Sequence, residues 1–242
     1  MNKCIRQVGK RNDGDYRLFC IPYAGSGASL FSQWNKYVDD NIEVYAIQLP
    51  GRENRRNEDL CSDYHEIVSE ICDCLENLLD KPFGIFGYSM GGILAYELTI
   101  MIYDRFRVKP QKLFMSASSI FRVNNDPEVS SMNEKQLISY MSRTGGVPKM
   151  ILEDQSLRQK YFPIIKNDYA LLENYRFDYS KVNCDIVAFA SKEDTEVPYD
   201  TVKLMKFFAP NFELRSMPGN HFFIRNESVT IGKIISSELE VG

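Results

Sequence analysis

The sequence predicts an α/β fold in which helices flank a mostly parallel sheet. Short apolar runs that suit buried strands alternate along the chain with segments of helical periodicity. Several of these runs end in glycine-rich or polar loops, and in parallel sheets such loops carry the functional site. The chain has 242 residues, enough for a well-buried core, and we expect residues 1–242 to form a single domain.

The predicted elements follow one another in a regular order. The first 16 residues are mostly polar and are expected to form a loose lead-in without regular structure. Six short segments, most of them apolar or aromatic, then predict strands: residues 17–21, 44–49, 83–86, 112–117, 185–190 and 212–217. Helical spacing of apolar residues predicts helices between them: residues 60–79, 93–103, 199–208 and 227–239. This alternation favours a parallel sheet with right-handed crossovers.

Residues 120–178 interrupt the alternation because they contain no convincing strand. Their pattern predicts a group of short helices inserted beside the sheet. Five glycines and prolines are expected to separate these helices: Pro127, Gly145, Gly146, Pro148 and Pro163.

Composition excludes several classes of protein. The net charge of −4 provides no overall basic field that would attract nucleic acid. Residues 84–103 have about the length that crosses a bilayer, but three glycines near the middle of this stretch and Glu97 argue against a membrane span. No apolar signal segment is present at the start, so we expect a cytoplasmic protein. We expect all six cysteines to be reduced, because the chain is too large to need disulfides and carries no export signal. We expect no metal, because the spacing of Cys72 and Cys74 does not suit zinc.

The segment FGIFGYSMGGILAYELTI, residues 83–100, places Ser89 among three glycines. A glycine cluster usually marks a turn, and most serines in turns have no chemical role. The pattern G-x-S-x-G between a strand and a helix is also that of a nucleophile elbow, in which a serine occupies a strained turn. Because apolar runs flank the cluster on both sides, we interpret Ser89 as the candidate nucleophile.

A serine nucleophile needs a base, and the chain has only two histidines. His65 lies in the predicted helix 60–79 beside its apolar face, and we expect it to be a partly exposed surface residue. His221 follows the last predicted strand, and it alone satisfies the serine–acid–histidine order of α/β hydrolases. His221 is therefore the expected base.

The orienting acid is expected in the loop after the strand at residues 185–190. This loop offers three carboxylates, Glu193, Asp194 and Glu196. We choose Asp194, because a short carboxylate on a tight loop can be aimed well, and Glu193 is the alternative.

Acyl transfer also needs two N–H groups that stabilise an oxyanion. One is expected from Met90, which follows the nucleophile at the start of a helix, where backbone N–H groups are unpaired. The other is expected from Ala24, in the loop PYAGSG after the first predicted strand. This loop also begins a dinucleotide-binding pattern, but Leu30 replaces the third glycine and no acid ends the second strand. We therefore reject dinucleotide binding.

Five segments together resemble the type II thioesterases, the stand-alone proofreading hydrolases of nonribosomal peptide and polyketide synthesis. They are LFCIPYAGSGASLFSQW, VYAIQLPGRENRR, PFGIFGYSMGGILAYEL, LFMSAS and GNHFF. The resemblance implies an α/β-hydrolase fold with residues 120–178 as a helical lid, and a catalytic triad of Ser89, Asp194 and His221.

The chain departs from the family pattern at three places. Tyr88 stands where the family usually has histidine, and Ser191 stands where glycine is usual. The helix after the acid loop carries Phe207 and Phe208 but no tryptophan. None of these positions belongs to the triad, so we expect local changes in packing.

The resemblance implies that the substrate is an acyl thioester on an acyl or peptidyl carrier protein. Phosphopantetheine then belongs to the carrier, so no cofactor is expected, and we expect the enzyme to act as a monomer. A carboxylesterase or lipase would use the same triad on oxygen esters and is the alternative. A catalytically inactive binding protein would lack a triad member, and none is missing here.

The lid is expected to be mobile and to cover an acyl pocket. Met132, Met141 and Phe162 are expected to line this pocket, together with neighbouring apolar residues of the lid. The alternative is that these side chains only pack the lid onto the sheet.

Two arginines in the loop after the second predicted strand are candidates for carrier docking. Arg55 and Arg56 leave the same sheet edge as Ser89, and a carrier protein is typically acidic around its phosphopantetheine arm. The alternative is a solvated loop in which these arginines pair with neighbouring acids such as Glu58. Arg52 is also near, and it belongs to the QLPGR segment of the family resemblance.

Overall fold

The computed structural model describes residues 3–9, 13–121 and 128–240. Within these residues the chain forms a seven-stranded sheet with the strand order β1-β3-β2-β4-β5-β6-β7. The strands are β1 Ile5–Val8, β2 Tyr16–Ile21, β3 Ile42–Ile47, β4 Phe83–Tyr88, β5 Lys112–Ser116, β6 Asp185–Ala190 and β7 Phe212–Ser216. Only β1 is antiparallel to its neighbour, so the described sheet is mostly parallel, as predicted.

Seven α-helices surround the sheet in the described part of the chain. They are α1 Tyr64–Leu75, α2 Met90–Phe106, α3 Glu134–Thr144, α4 Lys149–Glu153, α5 Gln155–Asn174, α6 Tyr199–Lys203 and α7 Ile224–Glu240. Side-chain caps set some of these starts. Helix α1 begins later than predicted because the Asp63 carboxylate accepts the backbone N–H of His65 at 2.8 Å. None of the described helices is long and apolar enough to cross a membrane.

All six predicted strands are present, but the expected loose lead-in is wrong. Ile5–Val8 forms an antiparallel edge strand, in which Ile5 pairs with Ile47 and Val8 pairs with Val44. Along this strand Val8 is buried, Arg6 is exposed and the other two residues are half-buried. Only one of these four residues is buried, so the segment carries almost no apolar strand pattern in the sequence.

The core has two layers, one on each face of the sheet. Adjacent residues of a strand point to opposite faces, and β2 shows this clearly. Phe19 packs with residues of α1 and α2, whereas Leu18 packs with Trp34 and with Ile235 of α7. Because both faces are covered, the central strands are apolar almost throughout.

The inserted helices α3 to α5 form a third, smaller cluster of buried side chains. No strand occurs in residues 128–178, as predicted. Gly145 ends α3 with a φ of 73°, and Pro148 precedes α4, so these two breaks are confirmed. The break expected at Pro163 is wrong because this residue lies inside α5, where burial of neighbouring apolar residues keeps the helix continuous. The break expected at Pro127 lies outside the described residues.

Candidate active site

Ser89 occupies the tight turn between β4 and α2. Its backbone has a φ of 53° and a ψ of −117°, a conformation that residues other than glycine rarely adopt. A Cβ atom on Gly87 would lie 2.1 Å from the carbonyl oxygen of Gly91, and a Cβ on Gly91 would lie 2.2 Å from that of Ile21. The two glycines of the G-x-S-x-G motif are therefore required by close backbone contacts around the strained serine.

Ser89, His221 and Asp194 form a chain of hydrogen bonds. The Oγ atom of Ser89 lies 2.9 Å from Nε2 of His221, and Nδ1 of His221 lies 2.8 Å from Oδ2 of Asp194. His221 is 6% exposed and Asp194 is 8% exposed, so water has little access to the link between them. This geometry allows the imidazole to take a proton from Ser89 while the carboxylate holds the ring.

The acid loop aims Asp194 at the histidine. Its second oxygen, Oδ1, accepts the backbone N–H groups of Glu196 at 2.8 Å and Val197 at 2.9 Å. These bonds fix the carboxylate and leave Oδ2 for His221. Glu193, the alternative acid, is exposed on the same loop, and the structure places Asp194 beside the histidine instead.

The loop that carries His221 is held by two residues at which the chain departs from the family pattern, Tyr88 and Ser191. The hydroxyl of Tyr88 donates to the carbonyl of His221 at 2.6 Å and accepts the N–H of Ile224 at 3.2 Å. Burial raises the pKa of Tyr88, so the hydroxyl keeps its proton and remains a donor. The hydroxyl of Ser191 donates to the carbonyl of Gly219, which joins the acid loop to the loop of His221. Sequence reasoning assigned neither contact, because each joins residues far apart in the chain.

The two expected oxyanion donors lie in segments that meet at this edge of the sheet. Met90 is the first residue of α2, where N–H groups have no acceptor within the helix. Ala24 lies in the loop after β2, and a Cβ on Gly91 would approach the carbonyl oxygens of Ile21 and Pro22 in this segment. The roles of Met90 and Ala24 as donors stay predictions.

A cavity of about 300 Å³ opens beside Ser89. The insertion lines one side of it with Tyr140, Tyr169, Leu172 and other residues of α3 and α5. The acid loop lines another side, where Glu196 accepts the hydroxyl of Tyr140 at 2.6 Å. The insertion therefore lies over the site, and the cavity has the size of a small-molecule site.

Three residues that were expected to line the cavity do not line it. Met132, Met141 and Phe162 belong to the apolar cluster inside the insertion, so the pocket role predicted for them is wrong. Leu137, Val147 and Ile151 belong to the same cluster. The three inserted helices need a core of their own, and the apolar residues at helical spacing serve that purpose. These side chains pack the inserted helices against one another, whereas the alternative expected them to pack the lid onto the sheet.

The docking surface expected at Arg55 is also wrong. Arg55 is only 5% exposed, and it donates to Oε2 of Glu58 at 2.6 Å and to the carbonyl of Gln48 at 2.9 Å. Its guanidinium also pairs with Glu70 of α1, so it ties the loop to the fold. Arg56 is exposed, and a docking role for it stays a prediction. His65 is exposed, as expected.

Arg52 and Asp168 form a buried ion pair that sequence reasoning missed. Nη2 of Arg52 lies 2.7 Å from Oδ1 of Asp168, and Nη1 lies 2.5 Å from Oδ2. The two residues are 116 positions apart, and no local pattern marks Asp168 within the inserted helices. Within the described residues, no group of three histidine, cysteine or acidic side chains is arranged to hold a metal ion.

Comparison with known proteins agrees with the resemblance. The chain is 30% identical over 229 residues to the medium-chain S-acyl fatty acid synthase thioesterase of Rattus norvegicus, covering 92% of this chain and 86% of the relative. It is also 30% identical over 246 residues to the gramicidin S biosynthesis protein GrsT of Aneurinibacillus migulanus, covering 100% and 95% of the two chains.

A solved structure gives the same result for the fold. The type II thioesterase BorB from the borrelidin biosynthetic cluster superposes with a TM-score of 0.88 and 26% identity, covering 97% of each chain. The sequence model of the family described as "Thioesterase domain" matches residues 16–238. The chain therefore belongs to the thioesterase family and has the α/β-hydrolase fold.

Proposed function

We propose that this protein is an editing thioesterase that removes aberrant acyl groups from the carrier proteins of nonribosomal peptide or polyketide synthetases. The hydrogen-bonded chain of Ser89, His221 and Asp194 beside a cavity is the observation that carries this proposal. Similarity to GrsT and to BorB supports the synthetase context, because GrsT is a gramicidin S biosynthesis protein and BorB is a type II thioesterase from the borrelidin biosynthetic cluster.

The first half of the reaction transfers the acyl group to the enzyme. His221 takes the proton of Ser89 through Nε2, and Oγ attacks the thioester carbonyl carbon. Asp194 stabilises the imidazolium that forms, since its Oδ2 accepts the Nδ1 proton. The N–H groups of Met90 and Ala24 stabilise the oxyanion of the tetrahedral intermediate. When this intermediate collapses, the C–S bond breaks.

The departing thiol needs little help. Its pKa is about 8.5, so a proton from the imidazolium suffices to release it. Water then enters, His221 removes its proton, and the resulting hydroxide attacks the acyl-enzyme. The free acid leaves, and Ser89 regains its proton. Every step uses residues of this chain, so we propose that no cofactor is required and that phosphopantetheine arrives with the carrier.

We further propose that the protein acts as a monomer in the cytoplasm on acyl or peptidyl carrier proteins. Two arginines, Arg55 and Arg56, were expected to dock the carrier. Of these two, Arg56 is exposed. Changing Arg56 to Glu should weaken hydrolysis of a carrier-bound acyl group and reduce its salt dependence. Hydrolysis of a small acyl thioester without the carrier should stay unchanged.

Variants of the triad test the chemistry directly. Ser89→Ala and His221→Ala should each lower kcat on the order of a thousandfold or more, and Asp194→Asn should cost less. Glu193→Gln is the matched control, because it removes a carboxylate from the same loop and should leave activity unchanged. If His221→Ala keeps most of the activity, or if Glu193→Gln is the more damaging change in the acid loop, the assigned roles are wrong.

The substrate class is tested on wild-type protein with two panels. Carrier-bound acyl thioesters of different chain lengths form one panel, and 4-nitrophenyl esters of the same acyl groups form the other. The proposal expects higher kcat/KM on the carrier-bound thioesters. Higher values on the oxygen esters would identify a carboxylesterase, which uses the same triad.

A further inference from the structure

We propose that Asp168, on helix α5 of the lid, is a positioning residue for the oxyanion-binding loop after β2. This inference rests on the proposed function, in which the N–H of Ala24 stabilises the oxyanion. The new element is that helix α5 must stay in its observed position for the N–H of Ala24 to point at the oxyanion.

The carboxylate of Asp168 touches the loop directly. Its Oδ2 atom accepts the backbone N–H of Gly25 at 2.7 Å. Gly25 follows Ala24, so the bonded N–H belongs to the peptide group that joins the two residues. Holding this peptide plane restricts the ψ angle of Ala24 and thereby the direction of its own N–H.

Arg52 holds the same loop from a second point. It is 4% exposed, and Nη1 donates to the carbonyl of Ser26 at 3.2 Å while its two terminal nitrogens grip Asp168. Its Nε donates to the carbonyl of Pro50 at 3.2 Å, which anchors the guanidinium to the loop after β3. Arg52 and Asp168 therefore act together, because a planar guanidinium can hold a carboxylate and a carbonyl in fixed positions.

The loop and the lid helix also fit closely in shape. Gly25 has a φ of 80°, and a Cβ atom there would lie 2.7 Å from Cγ1 of Ile165, one turn before Asp168 on α5. Asp168 itself is completely buried. A displacement of α5 would remove the acceptor of the Gly25 N–H and would leave the Arg52 charge buried without its partner. The Gly25 N–H in the oxyanion loop thus keeps its acceptor only while the lid helix is seated.

A buried ion pair can also serve stability alone, so the test must separate stability from catalysis. Asp168→Asn keeps the size of the side chain but removes its charge, and its activity is measured on 4-nitrophenyl butyrate. Affinity for an alkyl trifluoromethyl ketone is the second measurement. The Oγ atom of Ser89 adds to the ketone carbon, its proton passes to His221, and the resulting oxyanion occupies the oxyanion site. Ground-state binding, reported by KM, does not use that site.

The control variant is Glu43→Gln, which breaks another buried ion pair. Glu43 pairs with Arg17 at 3.1 Å near the amino ends of β2 and β3, at the opposite sheet edge from Ser89. The Glu43→Gln variant should lower Tm without changing kcat or the inhibition constant of the ketone. Arg52→Lys is the second test variant, because lysine keeps the charge but cannot hold Asp168 and Ser26 together.

We expect Asp168→Asn to lower kcat about tenfold to hundredfold with little change in KM, as for a misplaced oxyanion donor. The inhibition constant of the ketone should rise by a similar factor, and Arg52→Lys should show the same pattern. The inference is overturned if Asp168→Asn lowers only Tm. If Asp168→Asn does not fold, the same criterion applies to Arg52→Lys. It is also overturned if kcat falls while ketone affinity is unchanged. The assay on 4-nitrophenyl butyrate needs no carrier protein, so it tests the role of Asp168 even if carrier-bound thioesters are not the substrate. Loss of this activity in Ser89→Ala shows that the assay reports the same active site.

Discussion

Replacing Tyr88 by Phe would remove one oxygen atom that joins β4 to the loop of His221. The hydroxyl donates to the carbonyl of His221 at 2.6 Å and accepts the N–H of Ile224 at 3.2 Å. Tyr88 and Ile224 are both buried, so water cannot easily replace the lost partner. The aromatic contacts of the ring with Tyr23 and Phe223 are kept in the variant.

The expected loss of stability follows from the two backbone groups that lose their partner. A buried group left unsatisfied costs about 1–2 kcal/mol, so the free energy of unfolding should fall by about 2–4 kcal/mol. For a chain of this size each kcal/mol lowers Tm by about 2–4 °C, which predicts a decrease of roughly 4–16 °C. Activity should also fall, because the backbone of His221 sets the 2.9 Å approach of its ring to Ser89. A small displacement of this ring is expected to lower kcat about tenfold.

Tyr96→Phe provides a matched comparison. Tyr96 is equally buried, and its hydroxyl donates to the carbonyl of Ser180 at 2.7 Å, where no residue of the triad is in contact. Thermal denaturation and steady-state kinetics on a 4-nitrophenyl ester would be measured for both variants at a temperature where both are folded. The reasoning is refuted if Tyr88→Phe lowers kcat no more than Tyr96→Phe does.

Two further predictions concern acid stability and lid motion. Burial raises the pKa of Glu97 above its ordinary value of 4.5, although the hydroxyl of Tyr175 donates to it at 2.7 Å. The folded state therefore binds this proton more readily than the unfolded state, and the contribution of Glu97 to stability improves as pH falls through its folded pKa toward 4.5. Glu97→Gln should raise Tm at pH 7, and thermal denaturation should show this gain shrinking toward pH 4; a gain that grew in acid would contradict the assignment. Hydrogen exchange should be faster in α3 and α4 than in β4 and β5, since a mobile lid opens more readily than the core, and equal protection would rule out such a lid.

Sequence alone was sufficient where the signal is local or depends on chain order. Five of the six predicted strands are short, mostly apolar runs, which is the pattern that burial between two helical layers imposes, whereas the edge strand β7 alternates apolar and charged residues. The elbow at Ser89 was recognisable because its glycines are neighbours in the chain. His221 could be chosen by elimination, since only one of the two histidines follows the last strand.

The tertiary structure decided what depends on distant partners. The strand Ile5–Val8 exists because β3 offers it a free edge, and Pro163 stays within α5 because its neighbours are buried. Arg55 is buried because Glu58 and Glu70 pair with it, and Asp168 lies beside Gly25 because the inserted helix α5 packs against the loop after β2. Such contacts join residues up to 143 positions apart, so they leave no periodic pattern in the sequence. The cost of burying a charge is offset only once the chain has folded around it and supplied its partner.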